Sequence, residues 1–237
     1  MTSAPSQPSQ LTLNLPHRAA LGAEDFLVSG SNQAALDLID RWPDWPHWAM
    51  VVVGPPDAGK THIANVWRLR SNAGCVEART LREADTATLT TQKALVVEDL
   101  HAGIADERAL FHLLNLAREH RLSILLTSRA MPGDLHVALP DLRSRLRALP
   151  VVTIEPPDDA LLNAVLVKHF SDRQLAVEPH VVSHIARRME RSMAAAAGIV
   201  AGIDRLALAT HRRVTRALAA EVLERLSQAE ALADRQS

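Results

Sequence analysis

The stretch from Ala49 to His62, AMVVVGPPDAGKTH, places two glycines, a lysine and a threonine between an apolar run and the start of a helix. Its spacing satisfies G-x-x-x-x-G-K-[ST], a pattern whose backbone N–H groups surround the phosphates of a nucleotide at a helix N-terminus. Gly54 and Gly59 allow backbone angles and a close approach that a Cβ would obstruct, and Lys60 brings a point charge to the β/γ-phosphates. Thr61 can hold Mg²⁺ through its hydroxyl. We therefore predict a site for ATP or ADP with Mg²⁺. Its predicted residues are Gly54, Pro55, Pro56, Asp57, Ala58, Gly59, Lys60, Thr61 and His62.

Two carboxylates follow the apolar run Ala94 to Val97, which is predicted to be a strand. Glu98 and Asp99 would then lie at the carboxyl end of that strand, where open α/β sheets bind their ligands. In phosphate-loop enzymes one such carboxylate positions Mg²⁺ and its neighbour orients the attacking water. Glu98 and Asp99 are therefore candidate catalytic residues, and Thr61 and Glu98 are candidate metal ligands. Because the first acid is Glu rather than Asp, and octahedral Mg²⁺ tolerates little misplacement, we expect nucleotide binding to survive better than hydrolysis. The alternative role is a cap for the following turn.

The elements that would position these residues alternate between strands and helices. Ser31 or Asn32 is predicted to cap a first helix that Pro43 stops. Beyond Glu155-Pro156-Pro157 only helical periodicity follows. We therefore predict an α/β fold, a five-stranded parallel sheet followed by a small all-helical lid domain. The predicted strands begin at residue 49 and span 75–78, 94–97, 122–128 and 151–154; predicted helices span 62–70, 106–121, 139–149, 158–171, 178–191, 193–211 and 215–226.

Two groups of polar side chains have alternative roles. The hydroxyls of Thr127 and Ser128, at the end of the fourth strand, either reach the γ-phosphate or the attacking water, or cap the next turn. Arg143, Arg145 and Arg147 are two residues apart on one predicted helix, so they cannot share a face. They form a solvated basic helix, or one of them serves as an arginine finger for a neighbouring subunit's γ-phosphate.

The first residues differ in character from the rest of the chain. Residues 1–9 are mainly Ser, Pro, Gln and Thr, which predicts a disordered tail. The next six residues, 10–15, alternate leucine with polar residues and are ended by Pro16, a pattern typical of an extended peptide. It is either a short edge strand or a peptide that docks its leucines in another protein's apolar groove, with Gln10 hydrogen-bonding at the rim.

Composition limits the remaining possibilities. The chain has 237 residues with 26 basic and 27 acidic side chains, a net charge of -1, so there is no whole-chain electrostatic case for DNA binding. Its single cysteine, Cys75, suits a reducing cytosol and is interpreted as a buried apolar thiol. Trp42, Trp45 and Trp48 are interpreted as a packing cluster over the sheet. No run approaches the ~18 apolar residues of a membrane span and no signal peptide is recognised, so we expect a cytoplasmic protein.

Together these features resemble the AAA+ module of the bacterial replication initiator DnaA over roughly residues 19–227. The resemblance is carried by the phosphate loop, the Glu-Asp strand end, the L-x-S-R-L helix, the Glu-Pro-Pro junction, the helical lid and the segment FLVSGSNQAAL. The chain ends soon after the lid, so we expect no helix-turn-helix domain. Its front end resembles the sliding-clamp-binding peptide of the Hda family, shortened relatives of the initiator that include the alphaproteobacterial HdaA proteins. The implied domains are a tail with the clamp peptide at 1–18, an AAA+ domain at 19–156 and a lid at 157–237.

This resemblance implies a regulator. Hda proteins bind nucleotide, dock on the DNA-loaded clamp of DNA polymerase III and make the ATP-bound initiator hydrolyse its nucleotide, which limits replication initiation. Residue by residue, it implies that Gln10, Leu11, Leu13 and Leu15 bind the clamp and that Arg145 is the arginine finger. The position of a nucleotide-sensing lid arginine falls near Ala194 or Ala195, and Arg129 stands where the initiators commonly have an acidic residue. Expected partners are the clamp and DnaA, with self-association left open and no sequence-specific DNA binding.

Two other classes of function remain to be weighed. The chain could act alone as an initiator-like or helicase-loading AAA+ ATPase, which substantial ATP turnover without the initiator would indicate. A small P-loop kinase is disfavoured, because the helical region offers no anchored acid or arginine for an acceptor pocket.

Overall fold

The computed structural model describes residues 27–233, with side chains as far as Gln228. Within that range five strands form one sheet in the order β2-β3-β4-β1-β5, and each neighbouring pair is parallel. The predicted five-stranded parallel sheet is therefore confirmed. The strands are β1 (Ala49–Val53), β2 (Gly74–Glu77), β3 (Ala94–Glu98), β4 (Ser123–Ser128) and β5 (Val151–Thr153).

The sheet is covered on both faces, which explains why its inner strands β1, β3 and β4 are buried, largely apolar runs rather than alternating ones. On β1, Val51 and Val53 join a core cluster with residues of α4 and α5, whereas Met50 and Val52 join a second cluster with residues of α1 and α2. These helices are α1 (Gln33–Arg41), α2 (Lys60–Ser71), α3 (Glu83–Leu89), α4 (Glu107–His120) and α5 (Pro140–Arg147), with a 3-10 turn at Leu100–Ala102.

The start of α1 differs from its prediction. Asn32 occupies the N-cap position, but its side chain makes no cap hydrogen bond to the helix. Instead its Oδ1 accepts from the Ser29 amide at 2.9 Å and its Nδ2 donates to the Leu27 carbonyl at 3.0 Å. The side chain therefore fixes the loop before the helix. Helix α3 was not predicted; of its residues only Thr86 is buried, so it lacks an apolar stripe.

The aromatic and thiol predictions have different outcomes. Trp45 stacks on the buried Trp67 with ring centroids 4.9 Å apart, and Trp42 meets the same ring edge-on at 6.2 Å. The packing interpretation is thus confirmed for these two, whereas Trp48 packs in the cluster on the opposite face. The interpretation of Cys75 as a buried thiol is wrong: the residue is exposed, because β2 is the outermost strand of the sheet.

The described chain divides into two compact units. Residues 27–158 with 191–194 form the α/β unit, and residues 159–190 with 195–233 form the helical unit. The helical unit has its own core, to which Phe170, Ile185, Ile199 and Leu218 belong. Its helices are α6 (Asp159–Asp172), α7 (Pro179–Ala186), α8 (Met193–Thr210, whose first two residues belong to the α/β unit) and α9 (Arg216–Ala233).

Helix α8 is an exception to the expectation that no stretch of the chain approaches the length and apolar character of a membrane span. By length and composition alone it is long and apolar enough, with a mean hydropathy of 1.4. Its buried residues, however, include Ile199, Val200 and Ile203, which belong to the core of the helical unit. The buried residues make up 28% of the helix, so packing in the helical unit accounts for part of its apolar character.

Candidate nucleotide-binding site

The predicted phosphate loop lies at the edge of the sheet where parallel strands present their carboxyl ends. It leaves β1 at Val53, whose partner on β4 is Ser128, and the Gly54 amide donates to the Ser128 carbonyl at 3.2 Å. On its other side β4 pairs with β3, which ends at Glu98. The order β3-β4-β1 thus brings the loop, the two hydroxyls of β4 and the carboxylates to one edge.

The two glycines of the loop are required for different reasons. A Cβ on Gly54 would lie 2.8 Å from the backbone oxygen of Ile154, so this position is restricted by close approach of the chain itself. Gly59 has φ +101 with open space around it, so its requirement is conformational. Asp57, which is exposed, also takes a positive φ of 53. The loop therefore keeps its curvature through backbone geometry at three positions.

Lys60 is the best-fixed side chain of the loop. It is the first residue of α2, is only 6% exposed, and its Nζ donates to the carbonyl oxygens of Gly54 at 2.9 Å and Pro55 at 2.6 Å. Burial is the main cause that lowers the Lys60 pKa, followed by the positive charge of Arg129. The ammonium is therefore held inside the curve of the loop, where the sequence pattern places it.

The other predicted loop residues divide into anchors and exposed positions. Ala58 is 5% exposed and packs in the core cluster shared by α1 and α2. Pro55 and Gly59 are half-buried, and Pro56, Thr61 and His62 are exposed. The loop thus combines a buried anchor with residues that are open to solvent.

Glu98 and Thr61 meet beside this loop. A hydrogen bond from Thr61 acts on the Glu98 carboxyl, yet burial and the neighbouring Asp99 charge raise the Glu98 pKa above its usual value. Its Oε1 is buried and has no hydrogen-bond partner among the described residues. A buried carboxylate oxygen without a partner, next to a hydroxyl, suits a Mg²⁺ ion, which prefers oxygen ligands. The predicted metal ligands therefore fit the ion.

Thr127 and Ser128 are both buried and have separate contacts. The Asp99 amide donates to Thr127 Oγ1 at 3.0 Å, which ties the carboxyl end of β3 to β4. Asp99 itself takes a left-handed conformation with φ 58. Ser128 Oγ accepts from the Ala130 amide at 3.2 Å, so the turn-capping alternative describes Ser128. Thr127 therefore fixes the backbone of Asp99, a candidate catalytic residue.

Arg129 is an exposed cation at the same edge. It directly follows Ser128, the strand partner of Val53, and its charge lowers the pKa of both Lys60 and His101. Within residues 27–228 it makes no ion pair. Lys60 and Arg129 thus both contribute positive charge at this edge.

The three arginines of α5 occupy different environments. Arg145 is half-buried with its Cζ 5.9 Å from the ring centroid of Phe111, a cation–π contact. Arg147 donates to the Gly133 carbonyl at 3.2 Å. Arg143 is exposed and makes no ion pair or hydrogen bond among the described side chains. As predicted, the three do not form one stripe.

Glu107 positions the start of α5 and was missed from the sequence. Its two carboxylate oxygens accept from the amides of Ala138 at 2.8 Å and Leu139 at 2.6 Å, immediately before the helix begins. No motif marks this residue, because its partners lie about thirty positions away in the chain. The predicted peptide residues Gln10, Leu11, Leu13 and Leu15 lie outside the described residues.

The resemblance puts a nucleotide-sensing arginine of the initiators near Ala194 or Ala195; Ala194 ends the segment Arg191–Ala194 of the α/β unit, and Ala195 belongs to the helical unit. In this segment the Met193 amide donates to the carbonyl of Asp57 at 3.4 Å. Ala194 directly follows Met193, and its methyl side chain carries no charge.

A five-stranded parallel sheet of this order, with a phosphate loop after its first strand and carboxylates after its third, together with a helical unit, defines the AAA+ class of nucleotide-binding modules. The chain is similar in sequence to the chromosomal replication initiator protein DnaA. It is 29% identical to DnaA of Thermomicrobium roseum over 226 residues, 84% of this chain and 48% of that protein. It is also 29% identical to DnaA of Cutibacterium acnes over 135 residues, 56% of this chain and 27% of that protein. The chain thus spans about half or less of these curated relatives, and no protein-family model matches it.

Solved structures show the same fold. Domain III of the Thermotoga maritima replication initiation protein DnaA matches with a TM-score of 0.70 and 17% identity, over 85% of this chain and 94% of that one. The replication initiator DnaA bound to AMPPCP and single-stranded DNA matches with a TM-score of 0.64 and 18% identity, over 87% of this chain and 68% of that one. The predicted AAA+ fold is confirmed, and the assignment to Hda stays a prediction.

Proposed function

We propose that the chain binds ATP or ADP with Mg²⁺ at Gly54 to Thr61 and regulates the replication initiator DnaA. The observation that carries the nucleotide proposal is the loop closed around the buried Lys60, beside the Glu98 and Thr61 oxygens. Similarity to DnaA, one structure of which is bound to AMPPCP, supports an adenine nucleotide.

In this proposal Lys60 exchanges two carbonyl oxygens for phosphate oxygens. The charged donor is already desolvated and aimed into the loop, so little reorganisation is needed when phosphates replace the carbonyls. Thr61 and Glu98 would hold Mg²⁺, which neutralises charge on the β- and γ-phosphates when bound. Asp99, fixed through its amide by Thr127, would orient a water molecule.

Weak hydrolysis by the chain itself follows from the same residues. The extra methylene of Glu98 shifts its oxygens from the position that an Asp would give, and octahedral Mg²⁺ tolerates little misplacement. Ala194 and Ala195 supply no cation at the position where the resemblance puts a lid arginine. We therefore infer that the nucleotide mainly maintains a shape that a partner recognises.

The catalytic contribution would be made to the initiator's nucleotide by Arg145. Its guanidinium rests on Phe111 and makes no ion pair within residues 27–228, and Glu107 fixes the chain that enters its helix. An arginine supplied in this way contributes about 10³- to 10⁵-fold in rate. Arg143, which is more exposed, is the alternative finger. Gln10, Leu11, Leu13 and Leu15 would dock the chain on the DNA polymerase III sliding clamp, so that hydrolysis by DnaA follows replication and further initiation is suppressed.

A second candidate is an initiator-like ATPase or helicase loader that acts alone. The curated relatives that match are themselves named replication initiators, and both carboxylates and the Thr127 contact are present. The two proposals differ in where ATP is hydrolysed. Turnover by the purified full chain should be negligible without DnaA if it is an adaptor. Substantial turnover that Asp99→Asn abolishes would support the second candidate and contradict the first.

Clamp docking is tested separately. Leu11→Ala combined with Leu13→Ala should abolish capture by the clamp and leave nucleotide affinity unchanged. Thr12→Ala combined with Asn14→Ala is the matched control, because these residues alternate with the leucines on the same peptide. Equal capture of the leucine variant and the unsubstituted chain would remove the docking proposal.

A further inference from the structure

A cavity of about 810 Å³ lies in the helical unit, between side chains of α7 and the start of α9. The helices pack against each other there, and the phosphate loop belongs to the other unit. The cavity is lined by His180, Ser183, His184, Arg187, Arg188 and Arg216.

The lining is strongly basic. Arg187, Arg188 and Arg216 are permanently charged, and within residues 27–228 none has a carboxylate within ion-pair distance. The only acid paired with a lining residue there is Glu178, 3.1 Å from His180. Three unneutralised guanidinium groups around one cavity repel one another, and an anion between them would remove that cost.

His184 adds a buried donor to these cations. The residue is 5% exposed, and its Nδ1 lies 2.8 Å from a terminal nitrogen of Arg188. A guanidinium can only donate, so Nδ1 is the acceptor and the neutral ring carries its proton on Nε2. Burial, followed by the charges of Arg188 and Arg216, lowers the His184 pKa, so the ring is neutral at pH 7.

The Nε2 atom is buried and has no hydrogen-bond partner among the described residues. A buried N–H donor without a partner is unfavourable. The cavity lining thus offers three guanidinium groups and the Ser183 hydroxyl as donors to oxygen, and the buried His184 ring accepts from one of these cations, Arg188.

We propose that this cavity binds a phosphate group, and specifically a backbone phosphate of DNA. Planar guanidinium groups donate two parallel hydrogen bonds to phosphate oxygens, which is why arginine is favoured at such sites. Arg187, Arg188 and Arg216 are exposed, so the cavity opens to solvent and a phosphate that is part of a long strand can reach it. This site goes beyond the proposed function, since it needs neither the phosphate loop nor the clamp peptide.

The test is fluorescence anisotropy of a labelled 20-nucleotide single strand titrated with the full chain at several salt concentrations. Arg187→Gln combined with Arg216→Gln should weaken binding at least tenfold and reduce the salt slope by about 1 to 2, because phosphate contacts are lost. Arg205→Gln combined with Arg213→Gln removes the same charge from exposed residues outside the cavity lining, and should change affinity less than threefold.

Further measurements distinguish DNA from free phosphate as the ligand, and the cavity from the phosphate loop as the binding site. Oligonucleotide affinity should be unchanged in Lys60→Met, whereas nucleotide affinity should fall there. Equal losses in the two arginine pairs would show diffuse electrostatic attraction and overturn the proposal. Retained helicity of both pairs by circular dichroism is required for the comparison. Binding of inorganic phosphate or pyrophosphate at the cavity without binding of the strand would overturn the assignment to DNA.

Discussion

Replacing Lys60 with methionine removes the charge at the centre of the proposed nucleotide site and keeps most of the side-chain volume. Lys60 is 6% exposed, so a smaller residue would also create a cavity, and methionine avoids that second effect. Without nucleotide, two hydrogen bonds to carbonyl oxygens are lost, but the cost of burying an ammonium is removed as well. These effects oppose each other, and we expect the free energy of unfolding to change by no more than about 1–2 kcal/mol.

Nucleotide binding should change far more. Removing one partner of a desolvated charged contact costs about 2–5 kcal/mol, and a hundredfold loss of affinity corresponds to about 2.7 kcal/mol. At a nucleotide concentration 100 times the unsubstituted chain's Kd, that chain gains about 2.7 kcal/mol of stability and the variant about 0.4 kcal/mol. With about 2–4 °C per kcal/mol for a chain of this size, the ligand-induced rise in Tm should fall from about 5–10 °C to about 1–2 °C.

Thermal unfolding with and without Mg²⁺-ATP measures this difference. Lys93→Met is the matched control, because Lys93 is an exposed lysine of the same unit whose carbonyl, rather than its side chain, accepts a hydrogen bond. The control should respond to nucleotide like the unsubstituted chain. A Lys60→Met protein with the full ligand-induced rise would refute the reasoning, since the buried ammonium would then make no contact with the phosphates.

Three further outcomes are expected. The Glu98 pKa is raised above 4.5 by burial and by Asp99, so Mg²⁺-dependent nucleotide affinity should fall as the pH is lowered through that raised pKa. Calorimetric titrations between about pH 5 and 8 measure this dependence, and Glu98→Gln should remove it. Although Cys75 is an exposed residue, partial desolvation of its sulfur and the Glu98 charge raise the pKa of the thiol, whose Sγ lies 3.8 Å from Glu98 Oε2. Iodoacetamide should therefore modify Cys75 more slowly than a free cysteine at pH 8, and faster in Glu98→Gln; an unchanged rate would contradict this contact. In α8, Gly198→Ala enters open space and should raise stability to urea by about 0.5–1 kcal/mol, whereas Gly202→Ala places a Cβ 2.8 Å from Val222 Cγ1 and should lower it by about 1 kcal/mol.

The sheet and the phosphate loop could be predicted because their determinants are local. Continuous apolar runs are sufficient to mark strands that are buried on both faces, and the spacing of Gly54, Gly59 and Lys60 defines the loop without reference to other segments. The prediction that the Asn32 side chain caps α1 was wrong because that side chain hydrogen-bonds to the preceding loop instead of the helix. The prediction that Cys75 is a buried thiol was wrong because composition does not show which strand lies at the edge of a sheet.

The parts of the site that were missed depend on contacts between distant segments. Thr127 was a candidate from the sequence, but its contact with the Asp99 amide, 28 positions away, was not predicted. Glu107, which was missed, reaches the amides before α5 across 31 and 32 positions. The contact between Phe111 and Arg145 also joins residues that are far apart in the sequence. Each residue is an ordinary member of a helix or strand in the sequence, and its role follows only from the packing of these elements.

The conversion of DnaA-bound ATP to ADP in a mixture of clamp-loaded primed DNA, DnaA and this chain tests the proposed regulation most directly. We predict rapid conversion with the unsubstituted chain, loss of the stimulation with Arg145→Ala, and retained stimulation with Arg143→Ala, which removes the same charge from the same helix. Conversion at the same rate with and without this chain would contradict the account. Stimulation that survives Arg145→Ala but is lost with Arg143→Ala would move the finger to Arg143.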